Sequence, residues 1–286
     1  MNDWILGLGD PGATLETAGG KGLNLVRLTR AGFAVPAGVV ITTDAYRRFV
    51  AEHGLEEAIR AALAAADLDD PASAETASAA IRVAFRQAEI PAELADRIDT
   101  AYAQLAAGLG VDEVPVAVRS SATAEDLPDL SFAGQQDTFL DVRGPQRVRS
   151  AVRECWSSLW TARAIVYRRR NGVPDDAAAV AVVVQALVPA EVSGVLFTAN
   201  PLTGHRGQMV MDATFGLGEA LVSGQVEPDH VVADAATGRV LSRATGSKGG
   251  RPEQALDDAQ VAALVALGRR IEAEYAAPQD IEWAWQ

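Results

Sequence analysis

Val114-Pro115-Val116-Ala117-Val118-Arg119-Ser120-Ser121 stands where the sequence changes texture. Before it, from Leu55 to Leu109, the chain is alanine-rich and periodic, with breaks at Asp69-Asp70-Pro71 and Ile90-Pro91, which predicts three or four helices. After Gly110, short β-branched runs alternate with glycine turns. They predict strands at Val114 to Val118, Val180 to Val184, Val192 to Thr198, Gln208 to Asp212, His230 to Ala233 and Arg239 to Arg243. One amphipathic helix, Arg147 to Arg170, is expected between the first two strands, and another, Ala259 to Tyr275, leads to a strand-like end, Asp280 to Trp285. The class is therefore α+β (mixed α/β), with a helix-rich N-terminal part, residues 1–110, and a mostly antiparallel sheet in residues 111–286.

Working outward, the start of the chain reads as a short strand near Trp4 to Leu6, a glycine-marked loop to Gly22, a helix stopped at Gly32, and a strand Val39 to Thr43 with Asp44 as N-cap of the next helix. Hydrophobic residues at 49% and charged residues at 22% are ordinary soluble usage, which argues against disorder and fibrous repeats. A net charge of −13 disfavours nucleic acid, whose binding depends on Lys and Arg displacing counterions. The longest apolar run, Ala177 to Val188, is interrupted by Gln185 and falls short of the roughly 20 residues of a membrane helix. The single cysteine, Cys155, allows no internal disulfide and reads as a packing residue. With no signal-peptide pattern at Met1, the expected location is cytoplasmic.

Several segments carry chemistry, each beside a plainer reading. Gly7-Leu8-Gly9-Asp10-Pro11-Gly12 has dinucleotide spacing, but Pro11-Gly12 continues as loop and residues 23–43 hold no acidic group for a ribose, so a turn is the better reading. Gly19-Gly20-Lys21-Gly22 fails as a Walker loop because position 22 is not Ser or Thr. It suits either a phosphate contact, with close amides and a mobile cation, or a flexible loop with a solvated lysine. Arg119 is placed at the end of a strand, where a planar guanidinium with the Ser120 and Ser121 hydroxyls suits phosphate oxygens; a structural ion pair is the alternative. Ser131 to Thr138 reads as a phosphate lid through Gly134 and Thr138, or as a hairpin turn.

Gln185 needs partners for its amide, which an adenine edge or the protein backbone can supply. The backbone of Ala186 and Leu187 is placed to read the same base and Glu191 to accept from ribose. Asp280-Ile281-Glu282-Trp283-Ala284-Trp285 alternates, so Asp280 and Glu282 share one strand face, suited to Mg2+ or to solvent. His53, His205 and His230 have no metal-ligand spacing.

In their order along the chain these segments resemble one family. Gly-Gly-Lys21-Gly, Val-Arg119-Ser-Ser-Ala-Thr-Ala-Glu125-Asp126, Ser-Phe-Ala-Gly134-Gln-Gln-Asp-Thr138, Val-Val-Gln185, Ser-Gly-Val-Leu-Phe-Thr-Ala-Asn200-Pro, Gly-Leu-Gly-Glu219-Ala and Asp280-Ile-Glu282-Trp are similar to the ATP-binding domain of pyruvate phosphate dikinase, phosphoenolpyruvate synthase and rifamycin phosphotransferase. The resemblance implies an ATP-grasp fold with ATP and Mg2+ held between subdomains. It implies that Lys21 and Arg119 hold phosphates and are the catalytic candidates, and that Gly134 and Thr138 form the phosphate loop. Gln185, Ala186 and Leu187 would read adenine, Glu191 the ribose, and Glu282 with Asp280 the metal.

It further implies transfer of a phosphoryl group from ATP, with AMP released, to a histidine carrier domain in cis or in trans, and then to pyruvate or a rifamycin. The chain departs from the pattern in two ways: no histidine lies in a carrier-type motif, and the returning Gln-x-Arg-Pro strand is not reached before Gln286. A truncated or split enzyme is the expectation. An ATP-grasp ligase forming an acyl phosphate and a nonenzymatic nucleotide-binding module are the other functions the sequence admits.

Overall fold

The computed structural model describes residues 4–286 apart from 124, 125, 128, 129, 132–137, 176, 177 and 249. The chain divides into two compact units, Met1–Leu187 and Val188–Gln286. The texture change at Gly110, where the sequence suggested a boundary, falls inside the first unit.

In the first unit the elements run β1 (Ile5–Gly7), α1 (Leu15–Arg30), β2 (Gly38–Ile41), α2 (Thr43–Glu52), α3 (Leu55–Ala64), α4 (Pro71–Gln87), α5 (Ala92–Gly108), β3 (Val116–Ala122), β4 (Asp126–Leu127), β5 (Leu130–Ser131), β6 (Thr138–Val142), α6 (Pro145–Ser158), α7 (Ala162–Arg170) and β7 (Val180–Ala186). Five strands form one antiparallel sheet in the order β1-β2-β7-β3-β6, while β4 and β5 pair separately. Alternation along the strands gives this sheet two apolar faces. Ile41, Val116, Val118, Val180, Val182 and Val184 lie in the main core with Phe49, Phe85, Trp156 and Trp160 from the helices. Val40, Ala181 and Val183 point the other way and pack with Ala18 and Val26 of α1. Cys155 is buried in the main core, as its sequence context suggested.

Local chemistry explains the helix boundaries. Asp70 caps α4 by accepting from the amides of Ala72 and Ser73, with Pro71 in the first turn. The single helix expected over Arg147 to Arg170 is two, α6 and α7. Thr161 caps the second by accepting from the Ala164 amide, and the buried Arg168 guanidinium reaches back to the Leu159 carbonyl at 2.6 Å while stacking on Trp160. The expected N-cap Asp44 lies inside α2, whose cap position is Thr42, because the strand ends at Ile41 and the helix starts directly after it.

The second unit contains β8 (Val192–Phe197), β9 (Gln208–Phe215), α8 (Glu219–Val222), β10 (Asp229–Asp234), β11 (Val240–Ala244), α9 (Asp258–Tyr275) and β12 (Asp280–Trp285). Its five strands are antiparallel in the order β11-β10-β9-β8-β12. A capping box between Asp257 and Gln260 starts α9, whose Val261, Leu264 and Val265 pack on Leu196, Met209, Met211, Val231 and Trp283. Trp283 lies opposite Gly194, where an added Cβ would come within 2.6 Å of the indole and 2.1 Å of the Asp212 carbonyl oxygen. Two segments 89 positions apart, Ser193-Gly194-Val195 and Glu282-Trp283, are thus one packing unit. Among the described residues, no helix is long and apolar enough to cross a membrane.

Candidate functional site

The turn from β1 leads through a bond from the Gly12 amide to Asp10 into α1, whose Thr14 cap forms a capping box with Thr17. The segment expected to be a glycine loop to Gly22 is therefore helical from Leu15, with one break. Gly19 takes φ 67°, ψ 177°, and the helix resumes after it. The break exists because α1 is pressed against β3: a Cβ on Gly19 would lie 2.1 Å from the Ser121 carbonyl oxygen. Ser121 braces both sides of the kink, its hydroxyl donating to the Ala18 carbonyl at 2.8 Å and accepting from the Gly22 amide at 2.9 Å. That hydroxyl is fully buried, so the phosphate-assisting role the sequence suggested for it gives way to a structural one. Lys21 is exposed in the first turn after the break.

Arg119 was expected where the strand ends. Instead β3 runs on through Ala122, with Ser120 and Ser121 paired to Val182 and Ala181, so Arg119 is a mid-strand residue. Its neighbours across the sheet are Val183 on β7 and Thr138, the exposed first residue of β6. Directly opposed residues of antiparallel strands share a face. Arg119, Thr138, Val183, Ser121 and Gln185 therefore lie on the face that α1 packs against. Lys21, Arg119, Thr138 and Gln185, which span residues 21–185 in sequence, belong to one side of one sheet. Gly134 lies outside the described residues.

Gln185 is buried in β7, and its Nε2 donates to the Pro36 carbonyl at 3.0 Å. The amides of the next two residues are likewise engaged, Ala186 to the Ala37 carbonyl at 2.8 Å and Leu187 to the Pro115 carbonyl at 2.9 Å. A base meeting this segment would find its acceptors rather than these donors.

In the second unit, Glu191 precedes β8 with its side chain exposed; its amide donates to the Trp285 carbonyl and its carbonyl accepts from the Gly216 amide, both at 2.9 Å. Asp280 and Glu282 are exposed on one face of β12, while Ile281, Trp283 and Trp285 pack toward the core of α9, matching the alternation in the sequence. Partial burial, and then the nearby charge of Glu282, hold the Asp280 carboxyl above the usual carboxylate range. Two hard oxygen donors on an accessible face of an edge strand fit a divalent cation such as Mg2+.

Some residues on these faces carried no sequence signal. His230 and Asp212 meet only through the register of β10 and β9, with Nδ1 and Oδ1 2.8 Å apart. The other histidines serve local structure: His53 Nε2 meets the Glu89 carbonyl, and His205 Nδ1 accepts from the Gly207 amide at 3.0 Å.

Residues 15–286 match the family described as pyruvate phosphate dikinase, AMP/ATP-binding domain. The chain is 44% identical over 285 residues to a probable phosphoenolpyruvate synthase of Methanothermobacter thermautotrophicus, covering 93% of this chain and 42% of that protein. A rifampicin phosphotransferase of Streptomyces sviceus is 46% identical over 289 residues, covering 94% and 32%, respectively. A probable phosphoenolpyruvate synthase of Methanocaldococcus jannaschii is 41% identical over 291 residues, covering 95% and 24%. The chain thus spans less than half the length of these curated relatives. The mixed α/β, ATP-grasp-type class and the ATP-binding character expected from the motifs agree with this match, and the chain belongs to the pyruvate phosphate dikinase AMP/ATP-binding domain family.

Proposed function

We propose that this chain performs the nucleotide step of a dikinase-type phosphotransferase, binding ATP with Mg2+ and releasing AMP as phosphoryl passes to a histidine on a carrier domain, in cis or in trans. The observation that carries this reading is the gathering of Lys21, Arg119, Thr138 and Gln185 on one side of the first unit's sheet. Lys21 and Arg119 hold the phosphates there: an ammonium in the first turn after the helix break and a guanidinium fork on β3 neutralise charge that grows as the phosphoryl group departs. Thr138, at the start of β6, donates to a phosphate oxygen, and Gly134 is the further phosphate contact.

With its Nε2 committed to Pro36, Gln185 reads adenine through Oε1, which accepts from the exocyclic amine, while Ala186 and Leu187 contribute carbonyl oxygens. On the second unit Glu191 accepts from ribose, and Asp280 with Glu282 hold the metal. Mg2+ held there would lower the phosphate charge that repels an incoming nucleophile. Because no histidine of this chain lies in a carrier-type motif, the carrier is placed on another domain. The final acceptor is pyruvate or a rifamycin, the two chemistries named by the relatives.

Calorimetric titration with MgATP tests the residue assignment. Lys21→Ala and Arg119→Ala are each expected to weaken binding by about 10- to 100-fold, the loss of one charge-assisted contact. Unchanged affinity in both variants would remove these residues from the site. Chromatography of the products formed with a carrier domain supplied in trans is expected to give AMP; ADP as the product would replace this reaction with ligase-type acyl phosphate chemistry.

A further inference from the structure

In an unbroken α-helix the Gly22 amide would donate directly to the Ala18 carbonyl, four residues back. In α1 the Ser121 hydroxyl stands between them, accepting from the first at 2.9 Å and donating to the second at 2.8 Å. The bond is thus made through a side chain of another element, and such an insertion into the hydrogen-bond ladder is a known cause of a sharp helix break. Gly19 lies three residues before Gly22, the spacing of an N-cap and the amide it satisfies, but glycine has no side chain to accept that bond. Ser121 accepts it from β3. The helical segment that carries Lys21 is therefore capped by the strand that carries Arg119.

The contact is tight on both sides. Ser121 is fully buried, and a Cβ on Gly19 would fall 2.1 Å from its carbonyl oxygen, so α1 and β3 meet here at a fixed spacing. Lys21 is two residues beyond Gly19, and Arg119 is two residues before Ser121 on the face that α1 packs against. Two residues of strand span about 7 Å. Two cations from distant parts of the sequence thus take their relative placement from one hydroxyl and the glycine opposite it.

We propose that Ser121 is a positioning residue for Lys21, holding the break in α1 so that the ammonium and the Arg119 guanidinium engage the same phosphate chain. This rests on the nucleotide reading of the site. The hydroxyl proton is committed to Ala18 and the residue is buried, so Ser121 has no donor for a phosphate and acts through Lys21. Without the hydroxyl, the Gly22 amide and the Ala18 carbonyl lose their shared partner. The segment after Gly19 is then no longer held at its spacing from β3, and the grip of Lys21 on the phosphates loosens.

A double-mutant cycle read by calorimetric titration with MgATP tests this, using the wild-type chain, Ser121→Ala, Lys21→Ala and the two changes together, with the melting transition of each measured alongside. Ser121→Ala is expected to weaken MgATP binding about fivefold, less than Lys21→Ala, because the ammonium is displaced and not removed. In the Lys21→Ala background the same change is expected to alter affinity by less than about twofold, since no ammonium is left to place. An equal fall in both backgrounds would reduce Ser121 to a structural brace and overturn the proposal, as would an unchanged MgATP affinity in Ser121→Ala. Ser121→Cys keeps a weaker donor and acceptor at the same position, and it carries the cycle, with the same two readings, if Ser121→Ala does not melt cooperatively. A wild-type chain that does not bind MgATP overturns the nucleotide reading and this proposal with it, which distinguishes that failure from the other two.

Discussion

Asp229→Ala is expected to destabilise the second unit by about 3–5 kcal/mol, the usual cost of removing one partner from a buried ion pair. The carboxylate at the start of β10 pairs with the Lys248 ammonium, and these two side chains are 2% and 0% exposed. The same carboxylate accepts from the Gly246 amide at 2.9 Å and the Ala255 amide at 2.7 Å, and Lys248 donates to the Gly246 carbonyl at 2.9 Å. Removing the carboxylate therefore leaves a buried ammonium and two buried amides without their acceptor. Lys248 is held at φ 40°, a region that a lysine adopts only under restraint, and its bonds to Asp229 and the Gly246 carbonyl supply that restraint. Urea denaturation of the variant should show the loss as a lower midpoint at similar slope. The double variant Asp229→Leu with Lys248→Met should recover part of it, because no charge is then stranded. A single-variant loss below about 1 kcal/mol would mean that water reaches the pair when its partner is removed.

Gly19→Ala is expected to disrupt the first unit at the point where Lys21 is positioned, at a cost of about 3 kcal/mol or more from left-handed backbone and overpacking together. The residue sits at φ 67°, and its new Cβ would fall 2.1 Å from a backbone oxygen of β3 and 2.5 Å from the Ser121 hydroxyl. Neither atom belongs to a flexible side-chain end, so α1 must move off the sheet. Two companions separate the causes. Gly54 has φ 61°, ψ 26° with nothing within 4 Å of an added Cβ, so Gly54→Ala reports the cost of an ordinary left-handed position alone, about 1 kcal/mol, a lower bound on the backbone cost at Gly19, whose ψ of 177° suits glycine only. Ser121→Ala keeps the backbone and removes only the brace, whose two bonds span the kink, for a loss of about 1–3 kcal/mol. Thermal melting with MgATP titration should rank Gly19→Ala as the most damaging of the three in both stability and nucleotide affinity; equal effects of Gly19→Ala and Gly54→Ala would show that the contact with β3 yields easily.

Much of the fold is legible in local pattern. The β-branched runs after Gly110 become strands, and the alanine-rich stretch before it ends in α3, α4 and α5, because periodicity of 2 or 3.6 is a property of a few neighbouring residues. The alternation in Asp280 to Trp285 survives intact for the same reason: an edge strand with one packed face needs only its own sequence to sort carboxylates from tryptophans. Local reading fails where a distant segment decides the backbone. Gly-Gly-Lys-Gly has the composition of a loop, but packing on β3 and the Ser121 brace keep it in a kinked helix. Arg119 looks like a strand end because Ser120 and Ser121 are polar, yet pairing with β7 satisfies their backbone and carries the strand past them.

The candidate site divides along the same line. The sequence by itself determined which side chains have chemistry suited to such a site, two cations and a threonine that suit phosphate, an amide that suits a base, and alternating carboxylates that suit a metal, in an order along the chain that resembles one family. Only the tertiary structure decided which of them meet, because antiparallel register sets which residues face each other and no local pattern encodes it. Register sets Thr138 opposite Arg119, turns both toward the face that carries α1, and brings His230 against Asp212.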